Sequence, residues 1–174
     1  NHPHLAQSAI DDLTFGTVAA AARLAKELAA RSKNGGVVVA IDGYASAQFD
    51  DLCGALAQNL RQRGVAVVRH AMDEVYKPVA QLDEMLQESL PLNYDEDPVL
   101  LFGRLFEGGF DDFFDAQKLA VLHGALAAVP AGTVVLLSGF GSTSAPLQNV
   151  VQVCIYLDVT PKTAAIRARE GRLI

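Results

Sequence analysis

Basic residues are in the minority in this chain. Lys and Arg number 14 against 20 Asp and Glu, giving a formal net charge of −6 and a pI near 5.1. No run of basic residues occurs, so counterion release cannot drive nucleic-acid binding. Cysteine is nearly absent. Cys53 and Cys154 lie far apart in apolar surroundings, which fits a reducing compartment, and a cytoplasmic location is expected. Long apolar runs are missing too. Val37 to Ile41 falls far short of the roughly 20 residues that a membrane helix needs. Histidine is sparse: His2, His4, His70 and His123 show no metal-ligand spacing, and no metal site is expected. The start, Asn1-His2-Pro3-His4, lacks the basic and apolar regions of a signal peptide.

What is present suits an ordered globular chain. Of 174 residues, 51% are hydrophobic and 20% charged. At roughly 150 residues per domain, one domain over 1–174 is expected. Its first 36 residues read as a helical extension and 37–174 as the core. Helical period marks Asp12 to Ser32, with Ala21, Leu24 and Leu28 on one stripe. Arg23, Lys26, Glu27 and Arg31 fall on another, and Glu27 and Arg31 are spaced as an i, i+4 pair. Asn34-Gly35-Gly36 stops that helix. Val37 to Ile41 is β-branched and apolar on both faces, which predicts a central buried strand ending at Asp42-Gly43.

Phe49 to Arg63 predicts a helix through Leu52, Leu56 and Leu60, closed by Gly64. Val65 to His70 predicts a second strand. A helix opening at Lys77-Pro78 carries Val79, Leu82, Met85 and Leu86 on one face. Leu90 to Phe114 reads as an irregular insertion with a short helical turn. A helix near Asp115 to Ala128, strands at Thr133 to Leu137 and Val151 to Leu157, and a last helix opened by Pro161 complete the pattern. Strands alternating with helices predict a three-layer α/β/α domain with a mainly parallel sheet. Ligands in such folds bind beyond the carboxyl ends of the strands. Those ends are Asp42-Gly43, His70 to Tyr76, Ser138 to Ser142 and Asp158 to Thr160. The final Gly171-Arg172-Leu173-Ile174 reads as an interrupted terminus, and a continuing chain is expected.

A buried strand, a glycine turn and a helix are the setting of a phosphate loop, G-x-x-x-x-G-K-[ST]. The aligned residues here are Gly43-Tyr44-Ala45-Ser46-Ala47-Gln48-Phe49-Asp50. Only the first glycine is kept; Gln48, Phe49 and Asp50 replace the second glycine, the lysine and the hydroxyl. Further along come Asp73-Glu74-Val75-Tyr76, Asn93-Tyr94-Asp95-Glu96-Asp97-Pro98, Val134-Val135-Leu136-Leu137-Ser138-Gly139, and Leu157-Asp158-Val159-Thr160-Pro161 with Arg167 and Arg169. In that order these segments resemble the uridine kinase and phosphoribulokinase group of P-loop kinases, over Val37 to Arg169, with a degenerate phosphate loop. The resemblance implies a P-loop NTPase-like fold. It also implies Asp73 as the base that accepts a substrate proton, and Arg167 and Arg169 as lid residues. Gly43, Ser46, Tyr76 and Arg104 are the other candidate phosphate- or substrate-binding residues.

Asn93-Tyr94-Asp95, Leu101 to Gly108 and Thr160-Pro161-Lys162 also resemble a kinase-like domain that accompanies type I mannose-6-phosphate isomerases in some bacteria. That would place isomerase chemistry in a following domain, because no zinc-binding barrel is encoded here.

Each candidate has a plainer reading. Asp73 reads equally as a solvated acid at a strand end, and Tyr76 as a packing residue. Arg104 and Glu107, at i, i+3, could clamp a phosphate or pair with each other. Arg167 and Arg169 could lie on a solvated helix face. Asp111, Asp112 and Asp115 read as a solvated acidic turn around Phe110, Phe113 and Phe114. Loss of the lysine and hydroxyl favours a non-catalytic, regulatory kinase-like module in sugar-phosphate metabolism. The alternative is an active nucleoside or sugar kinase with a non-standard loop, for which alone Mg-ATP is the cofactor. The expected partners are a small phosphate or sugar, an isomerase domain, or a second copy of the chain, with neither nucleic acid nor membrane.

Overall fold

The computed structural model describes residues 6–44, 46–87, 89 and 106–171. The two most uniformly apolar segments form its centre. β1 (Val37–Gly43) and β3 (Thr133–Ser138) are buried along their whole length, as strands covered on both faces must be. β2 (Ala66–Ala71) and β4 (Val153–Leu157) are partly exposed because they form the edges. The order is β2-β3-β1-β4, and every neighbouring pair is parallel.

Alternation along each strand divides the core in two. Val37, Val39 and Ile41 of β1 and Leu136 of β3 point to one face. There they meet Ala21, Ala25 and Leu28 of α2 (Thr17–Ser32) and Leu52, Cys53, Leu56 and Leu60 of α3 (Phe49–Gln62). Val38, Val135 and Leu137 point to the other face. They pack on Leu122 and Leu126 of α5 (Ala116–Ala127), together with Met72, Phe114 and Leu147. The result is the three-layer α/β/α arrangement with a parallel sheet that the sequence pattern predicts. No described helix is long and apolar enough to cross a membrane.

Several local expectations are corrected. The helix expected from Asp12 to Ser32 is interrupted: α1 spans Gln7–Asp11 and α2 begins at Thr17. Gly16 between them has φ of 87°, which a right-handed helix cannot accommodate. Glu27 lies beside Arg23 at 3.8 Å, one turn before it, instead of Arg31. α4 (Val79–Leu86) has no buried residue, and Val79 is 72% exposed. Its apolar face is only partly covered among the described residues: Leu82, Met85 and Leu86 are half-buried. The Asn93 to Pro98 segment, Leu101 to Leu105 and with them Arg104 lie outside the described residues.

The described end of the insertion is a 3-10 turn, Phe110–Phe113. Its acids have local structural partners. Asp112 accepts the Gly109 N–H at 2.8 Å, and Asp115 caps α5 by accepting the Gln117 and Lys118 N–H groups, both at 3.0 Å. The last helix, α6, spans Pro161–Arg169.

The cap gives a pH prediction. Hydrogen bonding, with the Lys118 N–H foremost, holds the Asp115 carboxyl below its ordinary value. A carboxylate depressed in the folded state contributes stability above its unfolded pKa and loses it as pH falls through the folded one. Asp115→Asn keeps an acceptor at the cap. It should leave the Tm near neutral pH almost unchanged and flatten the fall in Tm below about pH 4. Asp115→Ala should lower the Tm at neutral pH as well. Thermal melts over a pH series check both outcomes.

Candidate functional site

The four strands end on one edge of the sheet, at Gly43, Ala71, Ser138 and Leu157. Asp42, next to last in β1, is buried there. Its Oδ1 accepts the Gly43 N–H at 2.8 Å. Its Oδ2 accepts the Thr143 N–H at 3.2 Å and the Thr143 hydroxyl at 2.6 Å. One carboxylate thus ties the end of β1 to the loop that follows β3. That loop, Gly139 to Ser144, bends at Gly139 (φ 118°) and Gly141 (φ 76°). A Cβ on Gly141 would lie 2.3 Å from the Phe110 ring and 2.8 Å from that of Phe114.

Beyond β1, three amides of the loop are already engaged within the protein. The Gly43 N–H is taken by Asp42, the Tyr44 N–H by the Leu157 carbonyl at 3.0 Å, and the Ala47 N–H by the Tyr44 carbonyl at 3.0 Å. Gly43 is needed because a Cβ there would sit 2.7 Å from the Leu157 carbonyl oxygen. That is a packing demand and makes no reference to an anion. Ser46 is buried with φ of 68°, a left-handed conformation that costs a non-glycine residue of order 1 kcal/mol. Phe49, at the lysine position of the motif, packs edge-on against Phe140 with ring centroids 5.7 Å apart. Asp50, at the hydroxyl position, is bound to Arg69 of β2 at 2.5 Å. It therefore has a cation of its own in addition to the helix dipole.

Asp73 and Tyr76 follow β2. Asp73 is exposed in a 3-10 turn, Met72–Val75. The Tyr76 hydroxyl donates to the Phe140 carbonyl at 2.9 Å, and its ring lies against Phe110 and Phe114. Burial first, then the charges of Asp42 and Asp73, push the Tyr76 phenol up to about 12. The structure thus brings Asp42, Asp73 and Tyr76 into one electrostatic neighbourhood. His70 lies 3.5 Å from Glu74.

Of the two lid arginines, Arg167 reaches the loop. Its guanidinium donates to the Ser46 carbonyl at 2.6 Å and to the Gln48 side-chain oxygen at 3.2 Å. Arg169 is exposed in the last turn of α6, with no contact to the loop among the described residues. Beside Arg167 lies an open cleft of about 500 Å³ between α2, the start of α3 and the end of β4. Leu24, Leu52, Ile155, Asp51 and Asp158 contribute to it. That is the size of a small-molecule pocket.

The family model for a domain of unknown function, DUF8485, matches residues 16–174. The chain belongs to that family. The match begins at Gly16, where α1 gives way to α2. No curated protein matches the chain.

Solved structures share its fold. A protein named as a fructose transport system kinase from Silicibacter sp. TM1040 is 17% identical with a TM-score of 0.60. The match covers 91% of this chain and 82% of the other. A protein named as a possible uridine kinase from Bacillus stearothermophilus is 16% identical with a TM-score of 0.50, over 87% and 92% of the two chains. At these identities the likeness is one of fold, and the fold is that of P-loop kinases.

Sequence reasoning placed Asp42 at a strand end without giving it a role, and missed its partner Thr143. Asp42 read as a strand terminator, although a carboxylate at the end of a buried strand is itself a signal, since it must find donors. Tyr76 supplies a test of the edge. A raised phenol contributes stability that is complete below its unfolded value of about 10 and is lost as pH rises toward the folded value of about 12. Ultraviolet titration should show one of the four tyrosines ionising about two units late, and Tyr76→Phe should remove that step. Gly141→Ala, which meets both a strained φ and two rings, should cost about 1–3 kcal/mol in urea unfolding.

Proposed function

We propose that this is a kinase-like domain without robust phosphotransfer, a regulatory or accessory module of sugar-phosphate metabolism. The observation that carries the reading is Phe49. An apolar ring, packed on Phe140, occupies the place where a lysine would meet the β- and γ-phosphates of a nucleotide. The surrounding chemistry supports it. The Gly43, Tyr44 and Ala47 amides are taken by protein acceptors, Asp50 brings a negative charge already held by Arg69, and the position of the strand-end acid is Ser138. Phosphoryl transfer depends almost wholly on positioning and electrostatics, so each loss falls directly on catalysis.

The sugar-phosphate setting, of the mannose-6-phosphate type, rests on the resemblance carried by Asn93-Tyr94-Asp95, Leu101 to Gly108 and Thr160-Pro161-Lys162. The name of one fold relative, a fructose transport system kinase, points the same way.

A second reading, an active small-molecule kinase with a non-standard loop, is favoured by one observation. Arg167 brings a cation to Ser46 beside a cleft of ligand size. Calorimetric titration with Mg-ATP separates the two. The first reading expects no heat of binding at ligand concentrations up to the millimolar range. A micromolar dissociation constant that is lost in Arg167→Gln overturns it. In that case Asp73→Asn should lower kcat by about two to four powers of ten with folding intact.

A further inference from the structure

Four large apolar side chains close together in sequence face solvent where α1 passes into α2. Ile10, Leu13, Phe15 and Val18 are between 43% and 81% exposed, Phe15 the most. α1 itself buries none of its residues. Single exposed apolar residues are ordinary, but a group of them marks a surface that another molecule covers. Arg23 of α2 fixes the course of this segment. Its guanidinium donates to the Asp12 carbonyl at 2.5 Å and to the Thr14 hydroxyl at 3.1 Å, and lies 3.5 Å from the Asp12 carboxylate.

The cleft of about 500 Å³ opens at the same place. Thr14, Gly16 and Thr17 line it, whereas Phe15 between them does not. Its walls are apolar: Ala20 and Leu24 of α2, Ile155 and Leu157 of β4 and Val159 are half-buried, and Leu52 of α3 is buried. Its acids, Asp51 and Asp158, are exposed and leave that apolar surface free. An apolar knob and an apolar hole thus share one patch, and the Arg23 contacts hold the knob outside the hole of its own chain. Such a patch is self-complementary: a two-fold axis seats the knob of each copy in the hole of the other. Its extent is sufficient. Residues 6–18 and the other residues of the cleft come to about two dozen, within the roughly 20–30 a side of a standard interface. Charge of opposite sign is available as well, with Asp11 exposed on the segment and Arg169 exposed on α6, whose Arg167 lines the cleft.

We propose that the chain pairs with a second copy of itself about a two-fold axis, with Phe15 of each copy seated in the cleft between α2, α3 and β4 of the other. Ile10, Leu13 and Val18 pack around the mouth of the cleft. Each cleft is then completed by a side chain of the other subunit. The driving force is the removal of two aromatic rings and their apolar neighbours from water. This inference goes beyond the reading of function and does not rest on it, although a cleft filled by a protein side chain is closed to a small molecule.

The test is analytical ultracentrifugation of the chain over a micromolar to millimolar concentration series. A monomer–dimer equilibrium is expected. Phe15→Ser should weaken it at least about a hundredfold, because two rings are lost per dimer. The Tm of that variant at low concentration should stay level, since the ring is exposed in the monomer. Ala20→Lys, which fills the hole, should weaken pairing in the same way. Mixing the two variants should restore a heterodimer, because one intact knob then meets one intact hole. The chain has no tryptophan, so Phe15→Trp supplies a unique fluorophore whose emission should move to the blue as concentration rises. The proposal is overturned by a monomer at every concentration, by a dimer that Phe15→Ser leaves unchanged, or by a mixture of the two variants that stays monomeric. A blue emission independent of concentration overturns it too, since the ring then lies in the cleft of its own chain. Each of these outcomes leaves the functional reading to the Mg-ATP titration.

Discussion

The functional edge depends on the buried carboxylate of Asp42. It accepts three donors, one from its own strand end and two from Thr143, which is 101 residues away in sequence. Hydrogen bonds to a charged group contribute roughly 1.5–3 kcal/mol each, and an unpaired buried charge is far more costly. The loop after β3 therefore has one stable docking position. That position sets Phe140, which in turn sets two further contacts: its ring meets Phe49, and its carbonyl receives the Tyr76 hydroxyl. Three chain segments that would line a ligand are thus tied to each other through one residue.

The sheet was legible because its signal is local. A strand buried on both faces must be apolar throughout, and Val37 to Ile41 and Thr133 to Leu137 could be little else. The amphipathic helices were legible for the same reason, through Leu52, Leu56 and Leu60 or Leu122 and Leu126. Where local signals competed, reading failed. Gly16 lies within a stretch that otherwise keeps helical period, and nothing in composition says whether a glycine is tolerated or takes a positive φ. Val79, Leu82, Met85 and Leu86 share a face by period, but period alone does not say what covers it.

The site was legible only in part, because its bonds are non-local. Gly43 and Ser46 could be placed by the motif, and Arg167 by resemblance to a lid. None of these arguments could show that Arg167 lies on the Ser46 carbonyl and Arg169 faces solvent. Both arginines have the same chemistry, and the turn of α6 decides between them. Asp42 to Thr143 joins residues on two loops whose approach exists only once the sheet has formed. Glycines at 139 and 141 hinted at a tight loop, but their reason, the Phe110 and Phe114 rings and Met72, lies in distant segments.

The charges at this edge oppose a polyphosphate. Each described cation there already has a partner: Arg69 holds Asp50, and Arg167 holds the loop's own oxygens. Asp42, Asp51 and Asp73 add negative charge around the same strand ends. A lysine-bearing loop meets a nucleotide with open amides, a mobile cation and a metal, and pays little to rearrange. Here the amides of Gly43, Tyr44 and Ala47 are closed by Asp42, Leu157 and Tyr44, so a triphosphate would have to break those bonds to use those donors. The replacements at Gln48, Phe49 and Asp50 therefore act together: each takes away a contact that a triphosphate needs, and Phe49 and Asp50 turn instead to partners within the protein, Phe140 and Arg69.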